Sequence, residues 1–207
     1  MNMFMNNNEI EKSIKNKLSE FQYGYIAKDL TSVDAFIQKM FGKKSDNAQI
    51  IGTDSRGPMT PEWCNGAIGI REIIVSDWEG WGDLRIDISG ATIHVDIDGK
   101  FSWVGMAGTL KSKYDSADVY LEGLKNIKTI LSEEKLSPKL KLLKIEEDMG
   151  AKLFGAERGD EYVWPVKISA VLKNENNEWF FKQIHFSFPA NIYPIHQDLK
   201  TCLSSRK

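Results

Sequence analysis

The run Trp179-Phe-Phe-Lys-Gln-Ile-His-Phe-Ser-Phe188, closed by Pro189, constrains this chain more than any other stretch. At a period of two, one face carries Trp179, Phe181, Gln183, His185 and Ser187, and the other carries Phe180, Lys182, Ile184, Phe186 and Phe188. A strand that is apolar on one face and mixed aromatic and polar on the other needs cover on both sides. Buried polar groups need partners or a ligand, so Gln183, His185 and Ser187 among aromatics predict the wall of a pocket. Phe180, Ile184, Phe186 and Phe188 predict a second, apolar patch. Either a second copy of the chain packs on it or the helices inserted at about 112–159 cover it within one chain.

Upstream, Ile10, Ile14, Leu18, Phe21 and Tyr25 recur at three- and four-residue steps, the signature of a helix with one buried face. Gly24 inside that pattern marks a close contact or a bend. Thr31 with Asp34 approximates a capping box before the apolar set Val33, Phe36, Ile37, Met40 and Phe41. A short strand is expected over 49–54. A third helix follows over 66–80, capped by Asn65, with the stripe Ile70, Ile74 and Trp78. Residues 83–99 alternate in two registers that change at Ser89-Gly90, and Asp98-Gly99 reads as a hairpin turn into a strand over 101–110. Two helical patterns occupy about 112–159. Strand patterns then resume over 160–173 and turn at 174–177 into the closing strand. No repeat or low-complexity linker interrupts the 207 residues, which are read as one α+β domain with a helical insertion.

With 27 basic against 29 acidic side chains, the net charge of -2 gives no electrostatic case for nucleic acid. No apolar run is long enough to span a membrane, and residues 1–8 lack signal-peptide character. Cys64 and Cys202 lack metal-type spacing, so the expected setting is a reducing cytoplasm. The three histidines, at 94, 185 and 196, form no metal cluster, no glycine-rich phosphate loop is present, and no cofactor is expected.

Ile51-Gly-Thr-Asp54, Glu62-Trp63 with Gly66, Asp77-Trp78, Phe101-Ser-Trp103 and the run from Trp179 to Ser187 follow one another in an order that resembles the SnoaL-like branch of the nuclear transport factor 2-like superfamily. The resemblance covers most of 9–110 and 160–189. It implies a cone-shaped α+β fold, a curved antiparallel sheet wrapped around N-terminal helices, often dimerising through the sheet. The fold hosts ketosteroid isomerases, polyketide cyclases, dehydratases and binding modules, so fold alone does not fix chemistry. The isomerases use an aspartate base with a tyrosine and a protonated acid as donors. Tyr25 and Asp54 match by residue type and rough position.

His185 is a candidate general acid or base, or else a buried histidine that holds the strand. Asp54 is a candidate proton partner for it, or a turn residue bonded to its own backbone. Arg71 can bind a ligand carboxylate or form a structural ion pair. Trp63 and Trp103 are the expected stacking walls of the cavity, with Gln183 and Ser187 as polar contacts. Two functions follow: a homodimeric module binding a small, largely apolar molecule, or an isomerase, cyclase or dehydratase using His185 and Asp54. An interaction subunit that docks through the insertion is the third.

Overall fold

The computed structural model describes residues 7–43, 45–53, 62–113, 116–156 and 161–188. The chain divides into two compact units: Met1–Leu110 with Trp164–Lys207, and Lys111–Val163.

In the first unit, α1 (Asn7–Ala27) turns Ile14, Leu18, Phe21 and Tyr25 inward, and none is more than 2% exposed. Gly24 is a contact rather than a bend, because the Phe36 ring lies where a β-carbon would project. A 3-10 turn, Leu30–Ser32, leads into α2 (Val33–Phe41). The N-cap of α2 is Ser32, not the expected Thr31, and makes no side-chain cap bond. Asp29 caps the 3-10 turn, its carboxylate accepting from the Thr31 backbone N–H at 3.0 Å and from the Thr31 hydroxyl at 2.6 Å. An aspartate ahead of a turn takes the first orphan donors before Thr31 can.

Strand β1 (Gln49–Ile51) pairs with β2 (Trp63–Asn65), a strand that the sequence pattern did not reveal. Helix α3 (Gly66–Gly80) follows, then β3 (Asp83–Ile86), β4 (Thr92–Val95) and β5 (Phe101–Lys113). Asp87 makes the break between the two registers by accepting from Ser89 and from the Gly90 N–H. The β4–β5 hairpin turns at Gly99, which has a φ of 65°, with Asp96 accepting from the Lys100 and Phe101 N–H groups. Strands β6 (Glu161–Glu175) and β7 (Glu178–Ser187) close the sheet. They meet through Asn176 and Asn177, both with positive φ, as a two-residue primed turn requires.

The strand order is β2-β1-β7-β6-β5-β3, with β4 also on β5. The fold is α+β, as expected, with one refinement: β1 runs parallel to β7, so the sheet is mixed. α1 lies along one face of the sheet, Phe21 meeting Phe181 at 5.3 Å and Phe186 at 6.4 Å between ring centres. Helices α4 (Ser116–Ser132) and α5 (Pro138–Ala156) occupy the expected insertion.

The β6–β7 ladder contains a bulge. Val171 pairs with Gln183 and Leu172 with Phe181, so Lys182 has no opposite number. One extra residue exchanges the faces of everything beyond it. Trp179 and Phe181 point inward before the bulge, and Ile184 and Phe186 after it, each 1% exposed. The apolar patch expected from Ile184 and Phe186 is therefore core, and no second copy can pack on it. Gln183, His185 and Ser187 lie on the other side of the sheet from that core.

Candidate functional site

Helix α3 buries Ile70, Ile74, Asp77 and Trp78 along one stripe. Asp77 stands at the i+7 position from Ile70, where an aliphatic side chain would satisfy the pattern, and is 6% exposed. A carboxyl at such a position needs a partner. Tyr25, at 0% exposure, supplies it by donating its hydroxyl to Asp77 Oδ2 at 2.8 Å.

The pair is enclosed by rings. Tyr25 has Phe21 at 4.8 Å, Trp81 and Phe186 at 6.3 Å, and Trp78 at 6.4 Å between centres. Burial, against the opposing Tyr25 hydrogen bond, pushes the Asp77 carboxyl up to about 7; Glu62 adds to the rise and Lys28 reduces it. Burial first, and the Asp77 charge second, holds the Tyr25 hydroxyl well above the ordinary tyrosine range. At neutral pH Tyr25 is thus a fixed donor, while Asp77 divides between its protonated and ionised forms.

The C-terminal turn of α3 packs beside the pair. The Trp81 N–H donates to Asp77 O at 2.7 Å, and the Trp81 carbonyl accepts from Lys28 Nζ. The Lys28 ammonium also lies 4.0 Å from Asp83. These bonds hold Trp81, half-buried, against Phe186 at 5.3 Å and Phe188 at 6.3 Å.

No family model and no curated protein matches the sequence. Solved structures do match. A nuclear transport factor 2-like superfamily protein from Salmonella enterica serovar Typhimurium superposes with a TM-score of 0.54 at 13% identity, over 89% of this chain and 94% of that one. A candidate dehydratase of the same family from Streptomyces avermitilis gives 0.51 at 8% identity, over 89% and 99% of the two chains. A cystatin-like-fold protein of unknown function from Nostoc punctiforme gives 0.51 at 7%, over 91% and 96%.

The fold is that of the nuclear transport factor 2-like proteins.

Within this nuclear transport factor 2-like frame, Tyr25 is the sequence candidate that meets the buried carboxyl. His185 sits in register with Ser169 on one side and Ile51 on the other, across the sheet from Tyr25. Ser187 reaches the Lys167 carbonyl at 3.5 Å, and Gln183 pairs with Val171 and Gln49 in the ladders. Trp63 donates its indole N–H to Gln49 Oε1 at 2.9 Å on the β2–β1 edge. Trp103 is 50% exposed and stacks on His94 at 6.2 Å, on the outer side of β5. Arg71 makes an exposed 2.9 Å ion pair with Asp34 that ties α3 to α2. Asp54 lies outside the described residues. Asp77 was missed as a functional residue, although its signal was present: an acid on the apolar stripe of a helix.

Among the described residues, grooves open on the helical side. One of about 550 Å³ runs between α2 and α3 beside Ile37, Ile68 and Arg71, and one of about 430 Å³ runs between α1 and α2 over Gly24, Phe36 and Trp78. His185 borders neither.

Proposed function

We propose that the protein binds a small, largely apolar molecule carrying one hydrogen-bonding group, which joins the Tyr25–Asp77 pair. The observation that carries this reading is a buried carboxyl poised at about 7 beside a fixed hydroxyl donor, in a wall of aromatic rings. Trp81, half-buried beside that pair, is the side chain such a molecule displaces or stacks upon. 2-Naphthol is a suitable probe, being flat, apolar and hydroxylated. Saturable quenching of tryptophan emission, weakened by Tyr25→Phe, supports the proposal. No saturable change in emission, or equal affinity in Asp77→Leu, overturns it.

A second reading, proton transfer of the isomerase, cyclase or dehydratase kind, rests on the same Asp77 value. A general acid–base group works best with a pKa near the operating pH. In it Asp77 moves the proton and Tyr25 stabilises the developing oxyanion. Its test is exchange of the α-protons of 2-tetralone into D₂O. Exchange above the buffer rate that Asp77→Asn abolishes supports catalysis, and exchange at the buffer rate leaves binding alone.

The homodimer belongs to this reading as well, through the outer side of the sheet rather than the face first expected. There Phe101 and Trp103 are 40% and 50% exposed, with His185 and Ser169 on the same side. No described helix is long and apolar enough to cross a membrane. The cytoplasmic setting we assign rests on the sequence, whose two cysteines, Cys64 and Cys202, are far apart and lack metal-type spacing.

A further inference from the structure

We propose that the α4–α5 hairpin is a second self-association surface, on which the same hairpin of another copy packs in antiparallel fashion. The two helices are antiparallel neighbours: Gly123 faces Met149, and Lys141 Nζ donates to the Leu131 carbonyl at 2.6 Å. That single seam leaves much apolar surface bare. Tyr120, Leu124 and Leu131 fall on one face of α4, and Leu140 and Leu143 on one face of α5. All five are between 43% and 56% exposed. Leucines repeated along one helix face, and left half in water, are the composition of an interface rather than of a solvated surface.

Charge identifies the occupant. Residues 125–144, the half of the hairpin around its turn, have six lysines and two glutamates. Residues 116–124 and 145–156, the other half, have five acids and one lysine. An anionic lipid surface suits the first half and is repelled by the second. A second copy related by a two-fold axis suits both, because each basic half then lies on the partner's acidic half. An isologous contact pairs i with j and j with i. The leucine faces close between the two hairpins, and the opposite charges set the register and exclude the parallel arrangement.

The test is a charge swap in the full chain, read by light-scattering mass. One variant carries Lys125→Glu, Lys128→Glu and Lys144→Glu, and the other Asp118→Lys, Glu122→Lys and Glu146→Lys. Each alone has like-charged halves and should show a lower mass than the unsubstituted chain. Their equimolar mixture should recover that mass. A mixture whose mass is only the mean of its components overturns the proposal, and does so whether or not the sheets also dimerise. Leu124→Asp with Leu131→Asp, both exposed positions in an otherwise unsubstituted chain, provides the check should a charge variant fail to fold. Lower mass supports the hairpin contact, and unchanged mass at the same high micromolar concentration overturns it.

Discussion

His185 and Phe186 are neighbours on β7 and meet opposite surroundings. Phe186 is 1% exposed and packs against Phe21, Tyr25 and Trp81. His185 stands on the far side of the sheet beside Ser169, an exposed position. The inner side carries out the desolvation that perturbs Asp77, and the outer side leaves its polar groups within reach of water. On the reading proposed above, chemistry that needs a shifted proton belongs with the ring-lined interior, and contact with a second copy with the exterior.

Truncating the inner side should have the largest effect. Phe186→Ala removes a ring that bridges α1 and Trp81, and such core deletions cost about 3–5 kcal/mol. Urea unfolding measures it. A loss under about 1 kcal/mol would mean that the inner side collapses around the gap and is not a rigid wall.

How far the two sides were legible follows from the same strand. The period-two run at 179–188 gave β7 its place and its strand character, because alternation is a local property. It did not give the facing of His185. The bulge at Lys182 arises from how β6 pairs with β7, and nothing within the run marks it. Strand β2 was hidden for a similar reason: three residues, Trp63–Asn65, are strand only because β1 lies beside them. Helices α1, α3, α4 and α5 were readable from their stripes, and the 176–177 turn from its asparagines. In the site, Tyr25 was legible as a tyrosine on the buried face of α1. The pairing with Asp77 spans 52 residues and needed the fold.

The next effect is a pH dependence. The Asp77 carboxyl is raised from its ordinary 3.8 to about 7, so the folded protein holds this proton more tightly than the unfolded chain does. Its contribution to stability is fully present below pH 3.8 and is lost as pH rises through 7, with a slope of about 1.4 kcal/mol per pH unit between the two. Asp77→Asn keeps the shape and cannot ionise. It should flatten the stability profile between pH 4 and 7 and should be the more stable protein at pH 8, by on the order of a few kcal/mol. Equal slopes for the two proteins in that window would show that Asp77 titrates normally. The interior would then lose its chemical distinction from the outer side.

Tyr25→Phe should act on the same interior with a smaller amplitude. The Tyr25 hydrogen bond lowers the Asp77 pKa, opposing burial, so its removal should move the Asp77 midpoint upward. Loss of a buried hydrogen bond to a charged group also costs about 1.5–3 kcal/mol where Asp77 is ionised, and less where it is protonated. The carboxyl infrared band, followed against pH, locates the midpoint. A midpoint unmoved or lowered by the substitution would mean that Tyr25 does not hold the ionised form.

His185→Ala should be the smallest change. The side chain lies off the inner core, its ladder partners are Ser169 and Ile51, and surface substitutions away from special features stay within about 0.5 kcal/mol. The affinity for 2-naphthol should likewise be unchanged, since the sheet separates this ring from Tyr25. Mass is the quantity that the substitution can move. If two copies meet on the outer side, where Trp103 is also exposed, His185→Glu should bury a carboxylate of each copy in that contact and shift the balance towards single chains. A 2-naphthol affinity that falls in His185→Ala, with mass and stability constant, would join His185 to the ligand after all. The division of labour between the two sides of β7 would then fail at the residue that first suggested a pocket.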